Sequence, residues 1–438
     1  MTDGDGFVIS GEYLLCAPED DIIENGAVAV VGSTIRDVGP YEVIKEKYDF
    51  LIELRRPSGL IMPGLINAHT HAPMVLFRGM ADDLPLKTWL EEYIFPAEAK
   101  LDEKTVALGA ELACAEMIRS GTTSFVDMYL FEETIAQVVD RVGMRAWLGE
   151  GLFDFPSPSF SSGFEALKET ERLVENWKYN PRITITVDPH TPYTCSSKLL
   201  ESARDLASGL DLQMVIHLSE TEWEIDEIRS SYGLSPVEYL DSLGLLGPNL
   251  LAVHCVWLSE RDMDIMVERG VNVVHCPESN LKLGSGIAPV ARFLKKGLRV
   301  ALGTDGAASN NDLDMFCEMD MAAKLPKGML KSAEVVSAQQ VFAMATTKAA
   351  LALGRDDLGV IRPGGQADLV IIDLDRPGLR PCYNCISQVV YAAKGQDVTD
   401  VFVAGKLLME KGELKTIDEK RLLSQIKRQK PTMLPPSK

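Results

Sequence analysis

The pair His69 and His71 constrains the fold of this chain more than any other feature, because it directly follows the apolar run of residues 59–68. Such a run is typical of a buried strand. On a strand, residues i and i+2 project to the same face, so both imidazoles can bind one metal ion. The other four of the six histidines also follow apolar runs: His190, His217, His254 and His275. Histidines placed only at strand ends indicate a metal-centred active site.

The composition narrows the class of protein. With 438 residues, of which 46% are hydrophobic and 25% charged, the chain is typical of a large globular enzyme. Its net charge of −20 disfavours nucleic acid or an anionic membrane as partner, because phosphate groups attract basic surfaces. No apolar run has the length of a transmembrane helix, and the acidic start does not resemble a signal peptide. We therefore expect a cytoplasmic protein without nucleic-acid or membrane partners, and whether it forms a homo-oligomer stays open.

The order of the predicted elements indicates the fold class. From residue 61 onwards, apolar strand-like segments alternate with helical segments, several of which end in glycine, a common C-cap. Eight such units, with strands apolar enough to be buried on both faces, predict a (β/α)8 barrel over residues 61–366. Residues 1–60 and 367–438 contain short strand-like runs separated by Gly and Asp. These two segments are expected to form one small β domain, followed by a loose tail at residues 431–438.

The strand ends supply a set of metal ligands. In a barrel of parallel strands, the C-terminal strand ends meet at one mouth, where active sites form. His69 and His71 end the first predicted strand, His217 the fifth and Asp305 the eighth. Three imidazoles and a carboxylate suit zinc, with ferrous iron as the alternative. A lone histidine at a strand end is more often structural, but so many of them at strand ends favour a metal site.

Long motifs in this chain resemble those of the amidohydrolase superfamily and, more closely, of its 5-methylthioadenosine/S-adenosylhomocysteine deaminases: PGLINAHTH, HLSE, AVHC, HCPESNLKLGSGIAPV and LGTDGAASNN. The resemblance extends over nearly the whole chain. It implies an α/β fold, a distorted TIM (β/α)8 barrel with a small β-sandwich built from both termini. It also implies that His69, His71, His217 and Asp305 bind one divalent metal ion. Two-metal relatives use a carboxylated lysine on strand four, and the corresponding ITITVDPH has none, which favours a single ion.

A glutamate beside the fifth strand is the candidate proton carrier. Glu220 follows His217 by three residues, where a carboxylic acid can move protons between water and a ring nitrogen. An exposed loop glutamate is the ordinary alternative, but the deaminases that this chain resembles keep this residue, whereas triazine-hydrolysing relatives replace it. The resemblance implies that Glu220 protonates the purine ring, that His254 orients the attacking water and that Asp305 accepts its proton, while the metal lowers the pKa of water. For His275, a supporting and a purely structural role stay open.

The resemblance to nucleoside deaminases also predicts substrate contacts. Glu98 corresponds to a glutamate that accepts hydrogen bonds from ribose hydroxyls, and His190 corresponds to a substrate-contacting histidine. Glu220 and Asp305 are expected to contact the reacting end of the substrate. Trp89 and its neighbour Leu90 are candidates for an apolar pocket, although a buried core position is the commoner outcome for a tryptophan.

One segment departs from the pattern of these relatives. Those that accept S-adenosylhomocysteine carry arginine after strand three, where it binds the amino-acid carboxylate. The corresponding segment here, DFPSPSFSSGF, contains neither Arg nor Lys. A cation from another loop, for instance Arg78, would compensate; without one, smaller 5′ groups are favoured.

The sequence thus predicts a metal-dependent hydrolytic deaminase. Its expected substrates are adenosine-type nucleosides (5-methylthioadenosine, S-adenosylhomocysteine, adenosine or 5′-deoxyadenosine), and its products are the inosine analogues and ammonia. One alternative is another amidohydrolase reaction, such as guanine or pterin deamination or triazine chlorohydrolysis. A second alternative, from a different class, is a barrel that has lost its metal and serves as an assembly protein.

Overall fold

The computed structural model describes residues 6–433 of the chain. None of its helices is long and apolar enough to cross a membrane within that range. The strands of this range are β1 (Gly6–Leu14), β2 (Ile23–Glu24), β3 (Gly26–Val31), β4 (Thr34–Pro40), β5 (Ile52–Pro63), β6 (Leu65–Thr70), β7 (Thr122–Tyr129), β8 (Arg145–Leu152), β9 (Ile183–Ile185), β10 (Asp188–Pro189), β11 (Met214–Leu218), β12 (Leu250–His254), β13 (Asn272–His275), β14 (Arg299–Leu302), β15 (Leu369–Asp373), β16 (Val398–Val403), β17 (Lys406–Glu410) and β18 (Glu413–Leu414).

Helices connect most of the strands in the middle of the chain. Short 3-10 helices occupy Ala72–Phe77 and Gly395–Asp397, and a π-helical segment occupies Trp89–Ile94. The α-helices are α1 (Tyr41–Lys47), α2 (Leu86–Thr88), α3 (Phe95–Glu98), α4 (Glu103–Arg119), α5 (Glu132–Val142), α6 (Gly163–Trp177), α7 (Ser197–Leu210), α8 (Glu222–Tyr232), α9 (Pro236–Ser242), α10 (Glu260–Arg269), α11 (Pro277–Lys282), α12 (Val290–Lys296), α13 (Met315–Leu330), α14 (Ala338–Met344), α15 (Thr347–Ala352), α16 (Cys385–Tyr391) and α17 (Glu419–Met433).

The strands from β6 to β14 form two parallel sheets. One has the order β10-β8-β7-β6 with β9 beside β8, and the other has the order β11-β12-β13-β14. Because β9 and β10 together occupy the fourth predicted strand, all eight predicted strand positions are found. The sheets are joined at both edges: the N–H of His217 donates to the carbonyl of His190 (3.0 Å), and the N–H of Asp305 donates to that of His69 (3.0 Å). This mixed α/β arrangement is consistent with a TIM-like barrel.

Local sequence explains where the helices begin and end. The hydroxyls of Ser162, Ser196 and Ser259 each accept a hydrogen bond from the backbone N–H three residues on, and so cap α6, α7 and α10. At the other end, Gly143 and Gly270 adopt left-handed backbone conformations, with φ of 96° and 73°. Glycine adopts this conformation without strain, so the helix stops there and the chain turns into the next strand.

Burial of the strands positions the polar residues that follow them. Every residue of β7, β11, β12 and β13 is buried. Their apolar side chains pack inside the sheets and against the helices, so the polar side chains at their C-terminal ends are held at one edge. The histidines of the chain lie at this edge.

The two ends of the chain share a third sheet. Its nine strands run β18-β17-β16-β15-β5-β1-β3-β4, with β2 beside β1. The pairing of β5 with β15 is antiparallel and places Ile61 opposite Ile371. The rings of Phe7 and Phe402 stack at 4.9 Å inside this sheet region. Strands from both termini therefore pair in one continuous sheet.

Some elements differ from the expected pattern. Strand β5 continues to Pro63, past the predicted boundary at residue 60, because the same strand leads from the terminal sheet toward β6. Helix α17 lies where only sheet and tail were expected. It is held by ion pairs to α4, Arg119–Glu419 at 2.6 Å and Arg421–Glu111 at 2.5 Å, which join residues far apart in sequence. Of the tail that was expected to be loose, residues 434–438 lie outside the described residues.

Candidate active site

Three imidazoles and one carboxylate meet at the ends of the parallel strands. The Nε2 atom of His217 lies 3.2 Å from Nε2 of His69 and 3.3 Å from Nε2 of His71. The Oδ1 atom of Asp305 lies 3.2 Å from Nε2 of His71 and 3.5 Å from Nε2 of His69. The structure thus brings together all four predicted metal ligands, from the first, fifth and eighth strands.

The outer nitrogens of two of these histidines are bound to the backbone. Nδ1 of His71 lies 2.5 Å from the carbonyl oxygen of Met128, and Nδ1 of His217 lies 2.9 Å from that of His190. A carbonyl oxygen only accepts, so each Nδ1 carries the proton and each Nε2 of a neutral ring presents a lone pair. Lone pairs at 3.3 Å repel each other unless a cation lies between them. This donor set therefore fits a divalent metal ion.

The pKa values of two of these histidines support the same conclusion. Burial lowers the pKa of His69 to about 4 and that of His217 well below its usual value, which keeps both rings neutral, the form that binds metal. For His71, burial is outweighed by the hydrogen bond and negative charge of Asp305, which raise the pKa to about 9, so a metal ion would have to displace the proton from this ring. For Asp305, burial is outweighed by hydrogen bonds with His69 and His71, which hold its pKa well below the usual range. The carboxylate therefore attracts positive charge to the centre of the cluster.

Two serines fix the carboxylate of Asp305. The hydroxyls of Ser279 and Ser309 donate to Oδ2 at 2.6 and 2.8 Å, so Oδ1 is the oxygen that faces the histidines. The backbone of Asp305 has a φ of 61°, a conformation that its N–H bond to His69 maintains. At Gly303, a Cβ atom would lie 2.8 Å from the backbone nitrogen of His69, so only glycine permits this close approach of the eighth strand to the first.

His254 lies beside the cluster and faces Glu220. The ligand atoms of His69, His217, His254 and Asp305 all lie within 4.8 Å of one another, so His254 also reaches the centre. However, its Nδ1 lies 2.8 Å from Oδ1 of Asn280, and its Nε2 lies 3.8 Å from Oε2 of Glu220. The ring is thereby placed between the metal-binding set and the glutamate.

The backbone around Glu220 is held by a second buried glutamate. Both carboxylate oxygens of Glu224 accept N–H groups, from Ser219 at 2.7 Å and from Glu220 at 2.9 Å. The hydroxyl of Ser285 donates to Oε1 of Glu220 at 3.0 Å. Burial raises the pKa of Glu220, which favours the protonated form that a general acid needs.

A half-open cavity of about 430 Å³ lies above these groups. His71, His217, Glu220, His254 and Asp305 form its floor. Glu98 and His190, the predicted substrate contacts, also line it, as do Trp89 and Leu90. Its apolar wall includes Ile94, Phe95, Phe153, Phe155 and Leu283. A volume of this size and a mainly apolar wall with a few polar groups are typical of a site for a small molecule.

The predicted substrate contacts differ in their surroundings. Burial raises the pKa of Glu98 to about 7, although a hydrogen bond from Tyr129 opposes this. Burial lowers the pKa of His190 to about 3, and its Nδ1 lies 3.0 Å from the hydroxyl of Thr194. His275 is buried at the end of β13 but does not line the cavity. Arg78 is paired with Glu116 and, like every other described Arg or Lys, lies outside the cavity lining.

Several residues of the site were not predicted. Ser279, Asn280 and Ser309 lie within the quoted motifs HCPESNLKLGSGIAPV and LGTDGAASNN, so their position beside the ligands was visible, but their contacts were not. Glu224 had a weaker signal, since it stands three residues after the N-cap Thr221 of α8. Apart from Trp89 and Leu90, the apolar wall was not predicted, because its members come from separate segments.

A comparison with known protein families identifies the class of protein to which this chain belongs. The sequence model described as the Amidohydrolase family matches residues 60–408, which is most of the chain. The chain belongs to the amidohydrolase family.

Similar proteins indicate to which group within the amidohydrolase family the chain belongs. A 5-methylthioadenosine/S-adenosylhomocysteine deaminase from Syntrophobacter fumaroxidans is 48% identical over 97% of this chain and 97% of that protein. A 5′-deoxyadenosine deaminase from Methanothermobacter thermautotrophicus is 44% identical over 96% of this chain and 97% of that protein. The crystal structure of an adenosine deaminase from Xanthomonas campestris with bound zinc has a TM-score of 0.94 and 39% identity, and covers 98% of both chains. Within its family, the chain is a member of the 5-methylthioadenosine/S-adenosylhomocysteine deaminase group.

Proposed function

We propose that this protein hydrolyses the exocyclic C–N bond of adenosine-type nucleosides and releases ammonia and the inosine analogue. The observation that carries the proposal is the buried Glu220 beside a His/His/His/Asp cluster on the floor of a cavity. The names of the relatives support an adenosine-type substrate. Guanine or pterin deamination and triazine chlorohydrolysis have less support, because these relatives are named for adenosine-type nucleosides.

His69, His71, His217 and Asp305 would hold one divalent ion per chain, zinc being the proposed ion. We assign His71 rather than His254 as the fourth ligand, because His71 contacts both His217 and Asp305 while its Nδ1 is bound to a carbonyl. The absence of lysine from strand four supports a single ion. When bound, a divalent ion supplies the Lewis acidity that makes water nucleophilic near neutral pH.

The residues on the floor divide the proton transfers. Asp305 accepts the proton of the attacking water at Oδ1, since two serines occupy Oδ2. His254, oriented by Asn280, hydrogen-bonds the water and directs it at the ring carbon that bears the amino group. Glu220, whose protonated form is favoured by burial, donates to the adjacent ring nitrogen. Asp305 then passes the proton taken from water to the amino group, which leaves as ammonia, and the new hydroxyl returns a proton to Glu220 as the carbonyl forms.

Other residues of the cavity bind the rest of the nucleoside. Glu98, at the end of α3, accepts hydrogen bonds from the ribose hydroxyls, and His190, directly after β10, contacts the substrate. Glu220 and Asp305 hold the purine at its reacting edge. The apolar wall excludes water from the purine, which strengthens these polar contacts.

We further propose that the hydrogen bonds between the two parallel sheets close one distorted barrel, within residues 61–366. Residues 1–60 and 367–438 are proposed to form the terminal β-sandwich. The absence of a membrane-crossing helix in the described residues and the acidic composition support a cytoplasmic location.

Ammonia release from several substrates tests the function. Purified protein is assayed with adenosine, 5′-deoxyadenosine, 5-methylthioadenosine and S-adenosylhomocysteine, and in parallel with guanine and with atrazine, from which chloride release is measured. We expect ammonia from the adenosine-type nucleosides at the highest kcat/KM. Faster turnover of guanine, or chloride release from atrazine, would assign the site to another amidohydrolase reaction.

A further inference from the structure

A second cavity, of about 560 Å³, adjoins the catalytic one. We call it the outer cavity; Lys87, Trp223 and Trp257 line it but do not line the catalytic cavity. Phe95, Phe155, His190, Tyr193 and Leu283 line both cavities. These residues in common place the two cavities side by side.

The wall of the outer cavity is aromatic and is held in place. Trp223, Trp257 and Phe155 are 42%, 41% and 39% exposed, which is unusual for such large apolar side chains. The indole N–H of Trp257 donates to the carbonyl of Ser285 at 2.7 Å. The ring of Trp223 contacts that of Tyr193 edge-on, with centroids 5.0 Å apart. Aromatic surface that is both exposed and fixed is typical of a binding site.

The charges of the outer cavity do not favour an anionic ligand. Lys87 is the single lysine or arginine among the described residues that line it, and Glu91 and Glu222 line it too. The ammonium group of Lys87 already lies 5.1 Å from the ring centroid of Trp223 and 3.9 Å from a carboxylate oxygen of Glu91. A carboxylate entering here therefore meets more negative than positive charge and must lose its hydration.

The polar groups of the catalytic cavity determine which end of a nucleoside faces outward. The amino-bearing carbon must reach Glu220 and His254, which line only the catalytic cavity. Glu98, the proposed ribose contact, is also confined to that cavity, whereas His190 lines both. With the purine on the floor and the ribose at Glu98, the remaining end of the nucleoside is its 5′ substituent, which faces the outer cavity.

We infer that the outer cavity is a subsite for the 5′ substituent and that it selects uncharged apolar groups larger than methylthio, including aromatic thioethers. This inference rests on the proposed deaminase function. The gain comes from contact of the substituent with the faces of Trp223, Trp257 and Phe155, which are exposed in the free protein. The outer cavity thus selects 5′ substituents by their charge and polarity, and it accepts substituents of different sizes.

Four substrates test the inference: 5′-deoxyadenosine, 5-methylthioadenosine, 5′-benzylthio-5′-deoxyadenosine and S-adenosylhomocysteine. We expect kcat/KM for the benzylthio compound to equal or exceed that for methylthioadenosine. It should exceed that for S-adenosylhomocysteine by about tenfold, the scale on which an apolar pocket discriminates. In Trp223→Ala, the ratio of kcat/KM for the benzylthio compound to that for 5′-deoxyadenosine should fall by about tenfold, and Trp223→Phe should restore most of it.

Two further variants complete the test. Trp257→Ala reports on the same wall from another segment, in case Trp223→Ala disturbs the neighbouring Glu224. Tyr179→Ala, at a residue 88% exposed and outside both cavities, is the matched aromatic control and should leave the ratio unchanged. If 5′-deoxyadenosine itself is not deaminated, the proposed function fails. Three outcomes would overturn only the inference about the outer cavity, provided that 5′-deoxyadenosine is deaminated. They are a lower kcat/KM for the benzylthio compound than for methylthioadenosine, a preference for S-adenosylhomocysteine, and an unchanged ratio in both tryptophan variants.

Discussion

On the floor of the catalytic cavity, the side chains are polar and most are held by a specific partner, as Asp305 is by Ser279 and Ser309. On the wall, the side chains are large and apolar, and rings contact rings, as Phe153 and Phe155 do with centroids 5.0 Å apart. Floor residues follow strands whose hydrogen bonds fix their directions. Wall residues come from short helices and loops, such as α2 and the segment after β8.

This difference indicates that the floor and the wall of the cavity have different roles in the reaction. Electrostatic contacts depend steeply on distance and orientation, so a change on the floor alters the reaction itself. Apolar contacts have little directionality, so a change on the wall alters which substrates are accepted and how well. Variants on the floor should therefore act mainly on kcat, and variants on the wall mainly on the relative kcat/KM of substrates.

Removal of the metal should have the largest effect. We expect one divalent ion per chain by elemental analysis, and a chelator should abolish ammonia release, with recovery on adding zinc or ferrous iron. The reason is that the Nε2 lone pairs of three histidines face one another at the centre of the floor. Two ions per active chain, or full activity of the metal-free protein, would contradict the assignment. Protein that binds no metal would instead support the non-catalytic alternative.

Loss of the general acid should be the next largest effect. Glu220→Gln keeps the size and burial of the side chain but cannot supply the proton, so kcat should fall by about a hundredfold or more. Metal content should stay at the wild-type level, because Glu220 is not one of the proposed ligands. Glu227→Gln, at an exposed residue of α8, is the matched control. Turnover of Glu220→Gln near the wild-type rate would mean that another residue carries the proton.

The ribose contact should give an intermediate effect that depends on pH. Glu98→Gln should raise KM for adenosine by about tenfold while metal content is unchanged, because a polar site loses affinity when its hydrogen bonds are mismatched. The pKa of Glu98 is raised to about 7, so in the wild type the carboxylate acceptor is lost as the pH falls below about 7, and KM should rise there. In Glu98→Gln this pH dependence of KM should disappear.

A control for this prediction is Glu103→Gln, at an exposed residue in the first turn of α4. It should keep the wild-type KM at each pH. Equal kcat/KM for free adenine and adenosine in the wild type would argue against a ribose contact at Glu98.

The smallest effect concerns the 5′ group. The segment DFPSPSFSSGF contributes Phe155, Pro156, Ser157 and Pro158 to the wall, and the catalytic cavity has no described Arg or Lys in its lining. The carboxylate of S-adenosylhomocysteine therefore lacks a guanidinium partner there. We expect methylthioadenosine to have the higher kcat/KM, by a factor of several, in side-by-side kinetics. A clear reversal would contradict this prediction and indicate that a cation from another segment binds the carboxylate.

The floor could be predicted from the sequence to a greater extent than the wall. Each ligand followed an apolar run, and a parallel sheet brings such positions to one edge regardless of the length and conformation of the loops between them. The eight strand positions were found for the same reason. Helix α17 was missed, because it is held by ion pairs with α4, about 300 residues away in sequence. The terminal strands were expected, but the order in which nine of them pair is not encoded in their local pattern.

The sequence by itself determined the types of residue at the strand ends and hence the chemistry of a His/Asp metal centre, because the alternation of apolar runs and polar endings is a local property of the chain. Only the tertiary structure decided which atoms face one another: that Oδ2 of Asp305 is occupied by two serines, and that Glu224 holds the backbone of Glu220. It also decided the shape of the wall, where Trp89, Phe155 and Leu283 line one space. These contacts join segments far apart in the chain, and distances between such segments are set by packing, which no local pattern records.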